Sequence, residues 1–533
     1  MRMQHLVMIS MLVGCGDKQP TGQAEDPSDD THEPVGTDTS LAPDTGSGTD
    51  SGDGVPPPVT GCASGINPVP LGGSTCYRQA ACKWTGDQTY GNLGYDIDLG
   101  GDINGDGWTD LVVGAPTEDV IVDDVIVRAD AGRVHLWLNV GLEDETAASG
   151  VIAGAQAGAY LGYSVAIAPD VNGDGLDDVI MGGRGNTIDG VLAGGTAALL
   201  LGRAEGLDSP DLEADFSWSG VAAYDRTGST VAGAGDLNGD GLGELLIATE
   251  QRKVSDSGYE SPAAGRVVIV SGRADFSDLS TLADASASVV GSGITDGTGV
   301  SMTTGDLDGD GHLDLIVGAP YGDGNKGRVT IYRGGPETMS GEYTPDMADM
   351  EIIGSSYGAG FGYTLAAGDL DADGKAELVV GAPIDDLTYP DAGSVSVFGG
   401  DITLFEGRPM PHTRFHGEFD DHQLGMGLQA GPDLNGDGVG DLVMGAIQSW
   451  QGLVTKGGRV YLLSGPYTGW PEVAAASVTS AQVFGAETKD YLGRANAAAD
   501  INGDGKAELV VSTAYSNLPT AFDSGSIGLF WGE

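Results

Sequence analysis

Short apolar runs alternate along most of the chain with segments rich in Gly, Asp, Asn and Ser, and around residue 370 they form a group of four. Phe361-Gly362-Tyr363 opens a first run leading to Asp369. Leu378 to Val380 follows and ends in Gly381-Ala382-Pro383. Gly393 to Phe398 is a third run, and a fourth precedes the next group. Runs this short, bounded by turn formers, predict β-strands rather than helices, and four in succession predict one antiparallel sheet. The same grouping surrounds seven polar stretches.

Each of those stretches reads Asp-x-(Asn/Asp)-x-Asp-Gly-x-x-(Asp/Glu). They open at Asp102, Asp170, Asp236, Asp306, Asp369, Asp433 and Asp500, at intervals of 68, 66, 70, 63, 64 and 67 residues. A period of that size marks a repeat architecture. The spacing also suits a hard cation that takes six to eight oxygens, with carboxylates and amides at alternate positions of a tight turn. In the first loop Asp102, Asn104, Asp106 and Asp110 offer side-chain oxygens, Trp108 a backbone carbonyl, and Gly107 the bend. The second is Asp170, Asn172, Asp174, Leu176 and Asp178. The third is Asp236, Asn238, Asp240, Leu242 and Glu244, and the fourth Asp306, Asp308, Asp310, His312 and Asp314. Asp369, Asp371, Asp373, Lys375 and Glu377 form the fifth; Asp433, Asn435, Asp437, Val439 and Asp441 the sixth; and Asp500, Asn502, Asp504, Lys506 and Glu508 the seventh. An EF-hand would add a Glu at position twelve and flanking helices, whereas these loops run directly into apolar segments such as Leu111 to Val113. The expectation is up to seven structural Ca²⁺ ions in hairpin loops between strands, with occupancy differing where Glu replaces Asp at position nine.

Composition sharpens that expectation. The formal charge of −54 excludes a nucleic-acid scaffold, because phosphate binding needs clustered Lys and Arg. Of the 28 side-chain ligand positions 23 are carboxylates, so seven Ca²⁺ would leave about −40 on the chain. Abundant Gly (91 residues) with few aromatics suits many short strands. No run of eighteen apolar residues is present to span a membrane as a helix.

The N-terminus addresses a membrane in another way. Arg2, the apolar run Leu6 to Val13 and the sequence Leu12-Val13-Gly14-Cys15 resemble a bacterial lipobox. That resemblance implies a signal peptide over residues 1–14, cleavage before Cys15, lipidation of Cys15, and a cell-envelope location at the outer membrane or cell surface. Residues 15–61 are acidic, rich in Thr, Ser, Gly and Pro, contain one Lys and end in Pro56-Pro57-Pro58, which predicts a disordered spacer. Cys62, Cys76 and Cys82 allow one disulfide and one leftover thiol, with three pairings open.

Phe361-Gly362, the Gly-Ala-Pro triplets at Gly114, Gly318 and Gly381 and the seven Asp loops together resemble the FG-GAP repeats of integrin α-subunit propellers. The resemblance covers residues 62–533 and implies an all-β fold, a seven-bladed β-propeller of four-stranded antiparallel blades with Ca-binding hairpin loops. It departs from the family where Phe-Gly becomes Leu93-Gly94, Leu161-Gly162, Thr227-Gly228, Thr298-Gly299, Leu424-Gly425 or Leu492-Gly493. Ring closure has its own sequence signal. The seventh unit offers three strands, around Ala495 to Ala499, Leu509 to Ser512 and Ser526 to Trp531. Lys83-Trp84-Thr85-Gly86 matches the segments that end earlier units, so a strand over about 81–85 is expected to complete the last blade and remove its exposed edges.

The resemblance places the ion loops on a lower face and gathers Thr117 to Ala131, Glu250 to Ala264, Tyr321 to Gly327 and Ile447 to Lys456 on the opposite one. Tyr160, Tyr224, Tyr259, Tyr321, Tyr357, Tyr389, Phe419, Trp450 and Tyr491 fall in or near such segments, as a contact surface for a protein or glycan partner or as packing between blades. Catalytic chemistry has a weaker signal in His412, His416 and His422 beside Asp420 and Asp421, which would serve an envelope hydrolase or lyase. No nucleophile elbow, P-loop or dinucleotide fingerprint occurs in a suitable context. The leading expectation is a non-enzymatic, lipid-anchored, calcium-binding adhesion or binding module. A structural spacer without a ligand is the other alternative.

Overall fold

A computed structural model describes residues 61–62, 73–76 and 80–530, less 123–124, 139, 141–146, 186–191, 251–252, 255–259, 262–263, 294, 337–338, 401–409, 450–453, 472, 477–478 and 517–521. The chain divides into Met1–Pro58 and Val59–Glu533, and all of the described residues belong to the second unit. The signal peptide, Cys15 and nearly all of the spacer lie outside the described residues.

Val59–Glu533 forms a seven-bladed β-propeller, and each blade is a four-stranded antiparallel sheet. Blade 1 comprises Ile97–Leu99, Leu111–Ala115, Arg133–Trp137 and Gly150–Ala153. Blade 4 repeats the plan with Ser301–Gly305, Asp314–Ala319, Arg328–Tyr332 and Met350–Ile353. Blade 5 does so with Thr364–Gly368, Glu377–Ala382, Ser394–Phe398 and Thr413–His416. The first strand of blade 5 begins at Thr364, not at Phe361 as the hydrophobic pattern predicts. Gly362 has a φ of +84°, which interrupts extended backbone, and Phe361 instead bridges Gly327 of the preceding blade.

Such bridges run around the whole ring. Gly132 pairs with Leu161, Gly195 with Thr227, Gly265 with Thr298, Gly327 with Phe361, Gly393 with Leu424 and Gly458 with Leu492. Leu93 with Gly525 joins the last blade to the first. Closure is completed by Cys82–Thr85, which pairs antiparallel with Ser526–Phe530 in the register Trp84 opposite Ile527. Cys82 is disulfide-bonded, and the short pairing of Gly61–Cys62 sets Cys62 directly across from it. The pattern did not predict three outer strands that add in parallel to finished blades: Gly341–Tyr343 on blade 3, Val473–Ala475 on blade 5 and Gly73–Cys76 on blade 6.

The core lies between blades. Successive side chains of a strand point to opposite faces, so Leu111 and Val113 pack with blade 7 residues such as Val510 and Ile527, while Val112 packs with blade 2 residues Val165 and Val179. Both faces of the second strand of each blade are thus buried, which is why these strands read as unbroken apolar runs rather than alternating ones. The motif glycines set the spacing between blades. A Cβ on Gly114 would collide with the carbonyl oxygen of Gly162, and one on Gly182 or Gly445 with that of Gly228 or Gly493. The Gly of Gly-Ala-Pro in one blade therefore packs backbone to backbone against the Gly of Phe-Gly in the next.

Candidate functional site

Each of the seven acidic loops joins the first and second strands of its blade, so all seven lie at one end of the strands. Gly-Asp-Gly sequences at the loop tips accept left-handed backbone, as at Gly105 (φ +76°) and Gly107 (φ +88°). The turns are then held by their own acidic side chains. Asp102 accepts from Gly105 N at 2.6 Å, Asp106 N at 3.0 Å and Gly107 N at 2.8 Å. The same three contacts recur at Asp170, Asp236, Asp306, Asp433 and Asp500. The fifth loop differs because position four is Ala372, held at φ +60°; Asp369 accepts instead from Asp371 N, Asp373 N and Gly374 N.

The ninth position plays a different part from the first three acids. Asp110, Asp178, Glu244, Asp314, Glu377, Asp441 and Glu508 are all buried. One oxygen of each accepts from the backbone N–H of loop position two, as in Ile103 N to Asp110 at 2.8 Å and Leu370 N to Glu377 at 2.7 Å. The other oxygen often reaches the segment after the third strand, as in Gly202 N to Asp178 at 2.9 Å and Gly400 N to Glu377 at 2.9 Å. Burial, reinforced by the neighbouring loop carboxylates, raises Asp178, Glu244, Glu377 and Glu508 to about 7, and Asp314 and Asp441 to about 6.

An all-oxygen donor set whose carboxylates repel one another fits a hard divalent cation. In the fourth and fifth loops the acids at positions one, three and five already converge: Asp306, Asp308 and Asp310, and Asp369, Asp371 and Asp373, have oxygens within 4.8 Å of one another. Position three separates the loops. Asn104, Asn172 and Asn435 donate to the Asp at position five, whereas Asn238 and Asn502 donate to the Glu at position nine at 2.6 and 3.1 Å. Arg333 Nε lies 3.3 Å from Asp308, so the fourth loop has an internal cation competing for one ligand.

At the other end of the blades lie the connections between second and third strands and between successive blades. Tyr357, Tyr389 and Phe419 are 80%, 47% and 47% exposed there, and Tyr160, Tyr224, Tyr321 and Tyr491 are half-buried. Tyr259 and Trp450 lie outside the described residues. The histidines do not form an acid–base site. His422 is fully buried; its Nδ1 accepts from Glu418 N at 3.1 Å and its Nε2 meets Ser449 Oγ and Tyr461 Oη. Burial holds its pKa down at about 3, so it is a neutral packing residue. His412 stands edge-on to Tyr467, and His416 Nδ1 meets the carbonyl of Gly417.

The sequence pattern did not reveal one further constellation. The residue after each motif glycine lines a cavity of about 490 Å³ on the ring axis: Tyr95, Tyr163, Ser229, Val300, Tyr363, Met426 and Arg494. The signal was present, since these seven positions share one place in the repeat, but their chemical diversity hid it.

Four segments, residues 93–137, 298–332, 361–398 and 492–530, match the FG-GAP repeat family; they are blades 1, 4, 5 and 7. Integrin alpha-PS2 of Drosophila melanogaster is 36% identical over 157 residues, covering 28% of this chain and 10% of that protein. The domain is an integrin α-like FG-GAP propeller. Integrin alpha-5 of Xenopus laevis is 28% identical over 263 residues (48% of this chain, 21% of that one), and human integrin alpha-IIb is 30% identical over 260 residues (46% and 21%). The matched stretches span about a tenth to a fifth of the length of these relatives.

Proposed function

We propose that the chain is a lipid-anchored cell-envelope module that binds a protein or glycan partner, with Ca²⁺ ions bracing its propeller. The observation carrying this reading is the division of labour between the two ends of each blade. One end holds seven self-similar acidic loops; the other carries connections of varied length and sequence that expose Tyr357, Tyr389 and Phe419. Exposed aromatic rings on a rigid scaffold are what a contact surface needs. Similarity to integrin α propellers supports adhesion as the purpose, and the placement of His422 speaks for binding over hydrolysis.

The loop acids at positions one, three, five and nine, with the carbonyl at position seven, would hold Ca²⁺, which neutralises their repulsion and braces the turn. Lipidation of Cys15 would tether the domain. Mass spectrometry of the N-terminal peptide checks that part, since an unmodified Cys15 in membrane-extracted protein would refute it. For the partner, the purified chain in calcium is screened against envelope proteins and a glycan panel beside a variant carrying Tyr357→Ala, Tyr389→Ala and Phe419→Ala. Capture that the variant loses supports the reading. A partner retained equally by both, or none captured by either, overturns it.

A further inference from the structure

Two arginines line the axial cavity and, among the described residues, neither is in an ion pair within 4.0 Å of a carboxylate. Arg494 lies 4.0 Å over the ring of Tyr95, Tyr95 is 4.8 Å from Tyr163, and Arg184 lies 3.9 Å over Tyr163. Blades 7, 1 and 2 therefore contribute one contiguous cluster of two phenol rings tilted at 40° to each other, each with a guanidinium over it. Arg184 Nη1 donates to Tyr163 Oη at 2.7 Å. Arg494 makes no side-chain hydrogen bond among the described residues, and its Nε is buried without a partner.

In a chain with 78 acidic and 24 Lys and Arg residues, that arrangement is unexpected. Other buried arginines here have carboxylates: Arg328 meets Asp296 at 3.2 Å, and Arg459 meets Glu418 at 3.6 Å. The two acids that line the cavity have other partners, although Asp96 is near enough to Arg494 to feel its charge. Asp96 accepts from Val165 N at 2.9 Å and Ile97 N at 3.2 Å, and Glu250 faces Arg226 at 3.7 Å. Thr249 Oγ1 and Asn496 Oδ1, both on residues lining the cavity, are also buried without partners. Buried polar groups are ordinarily satisfied, so the unmet Arg494 Nε and Thr249 hydroxyl beside an open cavity mark where an accepting ligand group belongs, and the Asn496 oxygen offers an acceptor to a ligand hydroxyl or amide.

We propose that the axial cavity binds a carboxylate, held by Arg494 and Arg184, which lie over the two tyrosine rings. The guanidinium fork matches a carboxylate in geometry as well as charge. Stacking on tyrosine fixes each plane and leaves the N–H edges to bind. Asp96 and Glu250 line the same cavity, so a monoanion is admitted and a dianion such as phosphate is repelled. The volume accommodates one sugar acid or one acidic side chain, and the site would serve as the charged floor of the partner-binding face. In that respect it rests on the binding-module reading, although occupancy by a free carboxylate is measured without any partner.

Calorimetric titration of the whole chain at low salt tests the site with glucuronate, with a blocked aspartate peptide unit and with inorganic phosphate. Saturable binding of at least one carboxylate is expected. It should weaken about tenfold or more in Arg494→Gln and in Arg184→Gln, and fade as salt is raised. The tighter of the two carboxylates identifies a glycan or a protein source. Arg184 is half-exposed, so Arg184→Gln remains informative if Arg494→Gln fails to fold. Absence of saturable carboxylate binding, unchanged affinity in the folded variants, or tighter binding of phosphate overturns the proposal. Each of those results leaves the partner screen with the aromatic variants standing on its own.

Discussion

Replacing Trp84 with Ala tests the closure of the ring at its most concentrated point. Trp84 is 3% exposed and sits opposite Ile527, in the strand through which the N-terminal end of the domain completes the last blade. Its indole lies 5.8 Å from that of Trp137 in blade 1 and packs in one cluster with Leu93, Val113, Ile527 and Leu529. Truncation removes on the order of 150–250 Å² of buried apolar surface. At about 25 cal/mol per Å² the area alone gives about 4–6 kcal/mol as an upper bound, and buried Trp truncations cost about 3–5 kcal/mol, which is the loss expected here. The disulfide at Cys82 is untouched, so the strand stays tethered while its anchoring side chain is gone. Deuterium uptake by the peptide over Ser526–Phe530 is the readout, with Arg328–Tyr332 across the ring as reference. Protection of the first should fall about a hundred- to thousand-fold, because exchange there reports opening of the seam. Protection of Ser526–Phe530 that is unchanged by Trp84→Ala would refute the view that this indole holds the ring shut.

Three further outcomes concern the loops and the buried histidine. Free Ca²⁺ at tenfold over its dissociation constant should stabilise the propeller by about 1.4 kcal/mol per occupied loop, so a chelator lowers the melting temperature; a melting temperature indifferent to chelation would sink the cation reading. In chelator the carboxyls of Asp178, Glu244, Glu377 and Glu508, raised to about 7 from ordinary values of 3.8 and 4.5, bind protons that the unfolded chain does not hold. Their contribution is therefore fully present below the unfolded values and lost as pH rises through about 7; the chelated protein should melt higher at pH 6 than at pH 8, whereas the calcium-loaded protein, in which protons compete with the ion, should show the reverse. His422→Gln should cost about 1–3 kcal/mol at pH 7.5 through unmet contacts to Ser449 and Tyr461. Because burial depresses His422 from 6.5 to about 3, its contribution is lost as pH falls below 6.5, and urea titrations should show the gap between wild type and variant narrowing in acid.

The amino-acid sequence by itself determined the number of blades, the place of the acidic loops between first and second strands, and a repeat of the blade-ending pattern at Lys83-Trp84-Thr85-Gly86. Those features are local. An Asp that folds back on the three amides after it needs only its own neighbours, and Lys83-Trp84-Thr85-Gly86 repeats a pattern found at the end of other blades. The apolar runs around Leu111 and Leu378 declare strands buried on both faces for the same reason, since each side chain in turn meets a neighbouring sheet. What only the tertiary structure decided depends on residues far apart in the chain arriving together. Arg494 and Tyr95 stack although 399 positions separate them, because closure sets blade 7 against blade 1. His422 lost its apparent chemistry when Ser449 and Tyr461 packed around it. The ninth loop residues became buried acids only once the following strands covered them. Spacing along a chain specifies a turn; convergence on an axis exists only once the ring has closed.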